Sequence, residues 1–416
     1  MKPNKVKLPG KGNYALILPG TIMYGLDVSS AAELDELTKE AESYIPDQEE
    51  DFESNISTIG IIPTFDCNLR CVYCYSKGGD SKEVLPLNTA TDAITDIVAN
   101  EKTETLKIDL VGGGEPLLHL DLVRNIVSFA KKVFKKVEIH VVSNSTFDKE
   151  TLDWIIANNV LIRSSFDGVM HQIQRPFANQ QSSRDTVVNN IARLVEADVE
   201  LMVQCIVTSD GLETLRQTLL ELVNLGVKTI KFEAARSTDV SRKENWKEPG
   251  PVEFANALLD VIQYAAELNK DIKIDTGYFS VPENTSYCGV SGQNRILTPV
   301  GLITSCLEVS RPTDPYSEKI IYGKISDGRI VMDIAKQNDL TNIDYPFQIG
   351  GCIKCNLRMI CRGGCPMEGI WESGFPLRKS WYTCTVEHIF LPKLLLMMVE
   401  DPRIVQVVAN DAQIVC

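Results

Sequence analysis

Six short apolar runs, each followed by a stretch whose apolar residues recur at helical spacing, constrain this chain more than anything else in it. The runs fall at about 56–63, 106–111, 137–142, 160–165, 200–207 and 228–233, and the helical patterns at about 88–100, 120–134, 148–158, 185–197, 211–224 and 252–268. Six successive strand–helix units predict an α/β fold with a parallel sheet and right-handed crossovers, flat or curved into a partial (β/α)6 TIM-like barrel. Sites in such folds sit at the C-terminal ends of the strands. The distinctive residues fall there: Cys67 after the first strand, Gly113-Gly114-Glu115-Pro116 after the second, Ser143-Asn144 after the third and Ser165-Phe166-Asp167-Gly168 after the fourth.

The flanks read differently. Residues 14–28 suggest a hairpin around Pro19-Gly20, followed by a helix from about Ala31 to Ser43, and Asp47–Asp51 has only charge and so reads as a linker. After about 275 the chain changes to short strands, turns and cysteines, with low helix signal until about 385. A small loop-rich module of that kind buries too little apolar area to fold alone, so metal is expected at its centre. The expected division is 1–55, 56–275, 276–390 and a C-terminal helix and tail, 391–416. A net charge of −14 disfavours nucleic acid as a partner. No apolar h-region follows the N-terminal charges, and the apolar stretch Ile389–Val399 contains Pro392 and Lys393 and is shorter than the roughly 20 residues a span needs. The expectation is a soluble, cytoplasmic chain with no membrane contact. Twelve cysteines in a reducing compartment point to metal ligation rather than disulfides.

Cys67, Cys71 and Cys74 form C-x3-C-x2-C with Tyr73 before the last cysteine. Three thiolates on a [4Fe–4S] cube, which takes four, leave one iron open to another ligand. Zinc is the alternative for the triplet alone. The triplet, the Gly-Gly-Glu turn and the strand–helix alternation together resemble the radical SAM superfamily. The resemblance implies that the open iron chelates S-adenosylmethionine, whose reductive cleavage gives a 5′-deoxyadenosyl radical. It also implies that Gly113, Gly114 and Glu115 meet the methionine end of that cofactor, with Ser165, Asn144 and Arg175 as further cofactor contacts; Asn144 and Arg175 read equally as ordinary loop residues.

The second set, Cys288-x12-Gly301-x4-Cys306, Cys352-x2-Cys355-x5-Cys361-x3-Cys365 and Cys384, resembles the SPASM domain through every spacing. Structural zinc is the alternative for Cys352-x2-Cys355 by itself. The resemblance implies two auxiliary [4Fe–4S] clusters, an outer one on Cys352, Cys355, Cys361 and Cys384 and an inner one on Cys288, Cys306 and Cys365. Pro282 to Tyr287 has no cysteine to complete the inner set. That iron is open to substrate, closed by a distant residue such as Cys416, or capped by water or a carboxylate. Cys205 reads as a small buried hydrophobe. His119, His140, His171 and His388 show no ligand spacing and read as structural or surface residues, and Lys131, Lys132, Lys135 and Lys136 as a solvated helix end.

SPASM-bearing relatives mostly modify peptides or proteins. Sulfatase-maturing members carry an aspartate immediately after the second inner cysteine; here that position is Leu307, with Glu308 next as the residue able to act as a base. The expected function is a peptide maturase that makes an oxidative crosslink in a ribosomally made precursor, with a flavodoxin or ferredoxin as electron donor and leader recognition by the N-terminal hairpin or a separate protein. The alternatives are formylglycine maturation or cofactor biogenesis and, from another class, a non-catalytic iron–sulfur scaffold or redox sensor.

Overall fold

The computed structural model of the chain describes residues 4–8, 13–18, 21–27, 30–42, 56–236, 246–279, 287–290, 294–341, 351–374, 379–408 and 413–415. The Pro19-Gly20 turn, the acidic linker and Cys416 lie outside them. All six expected strands form: β4 (Ile56–Ile61), β5 (Thr105–Leu110), β6 (Lys136–Ser143), β7 (Leu161–Ser165), β8 (Leu201–Val207) and β9 (Thr229–Ala234). They pair in order and in parallel. A seventh parallel strand, β10 (Lys273–Asp275), pairs with β9, too short at three residues to show a period in the sequence.

The sheet does not stop where the sequence pattern changes. Beyond β4 it continues through β11 (Ile296–Leu297), β12 (Leu302–Thr304), β13 (Ile321–Ser326) and β14 (Arg329–Met332), so one eleven-stranded sheet crosses the expected 275/276 division. β11 pairs with β4 in parallel and the rest form an antiparallel meander. The cysteine-bearing turns between these strands are thereby carried next to the loop that follows β4.

The sheet's two faces differ. In β5 and β9 buried and half-buried residues alternate strictly. The buried set (Leu106, Ile108, Leu110; Ile230, Phe232, Ala234) packs under helices, each large apolar side chain contributing about 2 kcal/mol by burial. Helix Leu120–Val133 offers Val123, Ile126, Val127 and Ala130 in return, the i, i+3, i+4, i+7 stripe read from the sequence. The opposite face carries Lys107, Asp109, His140, Lys231 and Glu233 at half-buried positions, a polar wall where closed parallel sheets are apolar.

At the N-terminus β1 (Asn4–Lys7), β2 (Asn13–Leu18) and β3 (Thr21–Asp27) form an antiparallel sheet, joined by β15 (Gln413–Val415) parallel to β3. Its Val6, Leu8 and Ala15 enter the same core as the last long helix. That helix runs Trp381–Glu400, so the expected 390/391 division falls inside it. Helices Ile334–Thr341 and Pro366–Ser373 also lie where low helix signal was read, both only eight residues long. By length and composition Trp381–Glu400 could cross a membrane, but half of its apolar window is buried in the protein. Val386, Phe390, Leu394 and Leu395 share a core with Phe254 and Leu258 of helix Pro251–Glu267.

Candidate active site

The loop after β4 is shaped by one residue the sequence reading passed over. Arg70 donates from Nη1 to the Cys67 and Leu69 carbonyls at 2.9 and 2.8 Å and from Nη2 to the Gly79 carbonyl at 3.1 Å. The loop is pinned to the strand-four turn by Arg70 N–H to Pro176 O at 2.8 Å and Val72 N–H to Gln174 O at 3.0 Å. These bonds satisfy carbonyls that an irregular loop would leave unpaired. Within it the Leu69 N–H reaches Cys67 Sγ at 3.5 Å and the Gly78 N–H reaches Cys74 Sγ at 3.4 Å. Cys67, Cys71 and Cys74 lie within one another's electrostatic reach, and burial pushes the Cys67 thiol up to about 12 and Cys71 above the usual thiol range. The Arg175 guanidinium opposes that rise at Cys71.

The glycine turn after β5 packs directly on this loop. A Cβ on Gly114 would sit 1.8 Å from the Asp66 carbonyl oxygen, and one on Gly113, whose φ is +67°, would sit 2.4 Å from the Ile62 side chain. The Gly114 and Glu115 N–H groups then donate to Thr64 O and Asp66 O at 2.9 and 2.8 Å. Both glycines are required by backbone-to-backbone approach as well as by anything bound beside them. Glu115 is 4% exposed and accepts from Leu117 N–H (3.1 Å), Ser143 Oγ (2.9 Å) and Asn144 N–H (2.6 Å), tying the ends of β5 and β6 together. Burial pushes its carboxyl up to about 7 in spite of those donors. Asn144 Nδ2 reaches Asn68 Oδ1 at 2.8 Å and Cys67 Sγ at 3.9 Å.

Strand four ends in a buried ion pair. Ser165 is half-buried at the end of β7. Asp167 Oδ2 accepts from Arg175 Nε at 2.9 Å and from the Tyr73 hydroxyl, while Oδ1 accepts the Ile206 N–H at 2.9 Å. Arg175 also lies 5.3 Å from the centre of the Tyr73 ring, which meets Trp246 edge-on at 6.2 Å. His171 is fully buried below, accepting the Asp167 N–H at 3.2 Å on Nδ1 and meeting Ser183 Oγ at 2.9 Å, and burial holds it down at about 3. Cys205 is 3% exposed in the apolar core.

The 306–311 turn docks on the first site. Leu307 packs with Ile62, Phe65 and Ile296, Arg311 stacks 3.7 Å from the Phe65 ring centre, and Arg311 Nη1 donates to Ser76 O at 3.2 Å. Cys288, Cys306 and Cys365 lie in mutual electrostatic reach together with Glu308, whose Oε2 accepts Trp371 Nε1 at 2.9 Å. Tyr75 feels both Cys74 and Cys306, so it stands between the two cysteine sets. The turn Arg362–Gly364 keeps φ positive at three successive residues, which glycine alone tolerates freely at 363 and 364. It sets Cys365 at the N-cap of helix Pro366–Ser373, where the helix dipole favours a thiolate.

The outer set is brought together in one cavity of about 530 Å³ lined by Cys352, Cys355, Cys361 and Cys384. His388, which the sequence left without a partner, faces Cys355 Sγ across 3.7 Å, because Cys384, Glu387 and His388 share one helix face at i, i+3 and i+4. Lys379 Nζ donates to Cys384 Sγ at 3.2 Å. No group of three or more His, Cys, Asp or Glu among the described residues closes on a single metal ion.

Residues 61–222 match the Radical SAM superfamily. An uncharacterized protein of Methanocaldococcus jannaschii is 28% identical over 198 residues, 47% of this chain and 67% of that protein. The mycofactocin maturase MftC of Mycolicibacterium smegmatis is 23% identical over 332 residues, 76% of this chain and 79% of that one. Among solved structures, anSMEcpe with bound AdoMet and the Cp18Cys peptide superposes with a TM-score of 0.67 at 19% identity over 83% of this chain and 99% of that one. Streptococcus suis SuiB bound to the precursor peptide SuiA gives 0.59 at 14% over 79% and 75%. At these identities the structural likeness is one of fold. The matched stretch, residues 61–222, holds the cysteine triplet, the glycine turn and the Asp167–Arg175 pair, and a match to the Radical SAM superfamily implies S-adenosylmethionine and one [4Fe–4S] cluster.

Proposed function

We propose that this chain is a radical SAM peptide maturase that removes hydrogen from a ribosomally made precursor peptide and closes an oxidative intramolecular crosslink of the C–C, thioether or ether type. The observation that carries the reading is the docking of the 306–311 turn, which begins at Cys306, on the first cysteine loop. The residues fit the groups concerned. Cys67, Cys71 and Cys74 would hold the first cluster, with backbone N–H donors already on two of the three sulfurs. Gly113, Gly114, Glu115, Asn144, Ser165, Tyr73 and Arg175 would surround S-adenosylmethionine. Cys288, Cys306 and Cys365 would hold the inner auxiliary cluster. Cys352, Cys355, Cys361 and Cys384 would hold the outer one, in a cavity with far more room than a tetrahedral zinc with sulfurs about 2.3 Å away needs.

When bound, the first cluster with S-adenosylmethionine supplies a 5′-deoxyadenosyl radical. The chain's own part is to orient and to exclude water. Asp167 holds Tyr73 and Arg175 against the triplet, Leu307 seals the glycine turn with apolar contact, and the half-buried polar wall of Lys107, Asp109, His140, Lys231 and Glu233 offers a peptide charged and hydrogen-bonding partners. Glu308, whose Oε2 accepts from Trp371 Nε1 beside the inner trio, would take a proton from the peptide. Leu307 packs among apolar side chains where formylglycine-forming relatives carry an aspartate, which weighs against that alternative. The electron donor is a flavodoxin or ferredoxin, with leader recognition by a separate protein or by the N-terminal sheet.

The test is anaerobic. Reconstituted protein with dithionite and S-adenosylmethionine should form 5′-deoxyadenosine, and a coexpressed precursor peptide should lose two hydrogens per link by mass spectrometry. Intact iron–sulfur absorption without any 5′-deoxyadenosine would favour the scaffold or sensor reading instead.

A further inference from the structure

The outer cavity carries polar side chains that ligation by four cysteines does not require. Lys379 Nζ donates to Cys384 Sγ at 3.2 Å, and His388 Nε2 lies 3.7 Å from Cys355 Sγ. On the same wall Glu387, 1% exposed, keeps Oε2 buried with no hydrogen-bond partner among the described residues and acts electrostatically on Cys361. The cavity opens to solvent: Cys352 is buried, but Cys355 and Cys384 are half-exposed and Lys354, Lys379 and His388 are exposed.

Reduction adds negative charge to a cluster and its sulfurs. Hydrogen bonds to those sulfurs, nearby cations and solvent stabilise the reduced form and raise the potential, whereas nearby carboxylates lower it. From the Lys379 donor on Cys384, the His388 ring against Cys355 and the exposed mouth, we infer that Lys379 and His388 are positioning residues that raise the potential of the outer site, making it more easily reduced than it is without them. This rests on the reading that the outer cysteines hold an iron–sulfur cluster.

The test is an electrochemical titration of the reconstituted protein followed by EPR, with iron and sulfide measured on every sample. Lys379→Met combined with His388→Leu should raise the oxidised-to-reduced ratio of the outer signal about tenfold at fixed potential, equivalent to about 59 mV for one electron. Lys379→Arg and His388→Gln, which keep a donor, should remain within about twofold of wild type. The outer signal is assigned by its loss in Cys361→Ala. Ratios unchanged in all variants with iron content intact would overturn the inference. Should the double variant fail to load, Lys379→Met and His388→Leu singly carry the comparison. Failure of the cluster reading is seen separately, as a wild-type protein whose iron content does not fall in Cys361→Ala.

Discussion

At the first triplet the Leu69 and Gly78 backbone N–H groups reach sulfur, held by a loop that Arg70 ties together from inside, with Asn144 Nδ2 also 3.9 Å from Cys67 Sγ. At the outer cavity a backbone N–H of Gly363 serves Cys361, and two exposed side chains, Lys379 and His388, lie against Cys384 and Cys355. A backbone donor cannot be removed by substitution and moves only if the loop moves. The first site thus depends more on the geometry of its loop, as the proposed hydrogen abstraction demands, while at the outer site exposed side chains can be exchanged without rebuilding the backbone. The packing agrees: the first site is locked to β5 and to the 306–311 turn by contacts in which even a methyl group does not fit.

Substitution of ligand cysteines should separate the regions most sharply. Cys71→Ala should abolish 5′-deoxyadenosine formation, while Cys361→Ala should lower iron content but leave reductive cleavage of S-adenosylmethionine. Equal loss in both would erase the distinction. Next comes the buried pair. Asp167→Ala strands Arg175 at 8% side-chain exposure and should cost about 4 kcal/mol in chemical denaturation, against a much smaller loss for an exposed pair such as Arg216–Asp260.

The pH dependence of the metal-free protein probes the first site again. Glu115 sits at about 7 in the fold against 4.5 outside it, because burial disfavours its charge. The folded chain therefore holds that proton more tightly than the unfolded one, so its contribution is full below about pH 4.5 and is lost as pH rises to about 7. At about 1.4 kcal/mol per pH unit this is about 3 kcal/mol that wild type loses and Glu115→Gln does not; parallel stability curves across that range would contradict it. Gly114→Ala, with its methyl against the Asp66 carbonyl, should cost about 2–3 kcal/mol and lower first-site iron without touching the outer site. Smallest of all, Lys379→Met should shift stability by no more than about 0.5 kcal/mol, since that side chain is exposed. A large loss there would mean the outer donors hold the fold together rather than tune the site.

The barrel strands were readable because each buries one face under a helix, so the period of Leu106, Ile108 and Leu110 or of Val203, Cys205 and Val207 is written in the chain. β10 and β11, three and two residues long, have no period to read, and neither does the helix Pro366–Ser373. Most of the candidate site was legible as residue types at spacings: the triplet, the Gly-Gly-Glu turn, Asp167 and the seven later cysteines. Arg70 was not, because its work is to satisfy carbonyls of its own loop, which no spacing announces. Glu115 was expected to face a cofactor, and three of its acceptor positions prove to be taken by Leu117, Ser143 and Asn144. His388 was set aside because its partner, Cys355, lies 33 residues away in sequence and meets it only through the packing of two elements.

By itself, then, the sequence determined the strand–helix alternation and which residues could ligate iron, since burial periodicity and thiol chemistry are local properties of residue type and spacing. Only the tertiary structure decided that β11–β14 extend the parallel sheet, that Leu307 and Arg311 dock the Cys306 turn against the first loop, and that Lys379 and His388 meet the outer thiols. Those outcomes depend on contacts between segments far apart in the chain, whose energies are settled by packing and hydrogen-bond geometry.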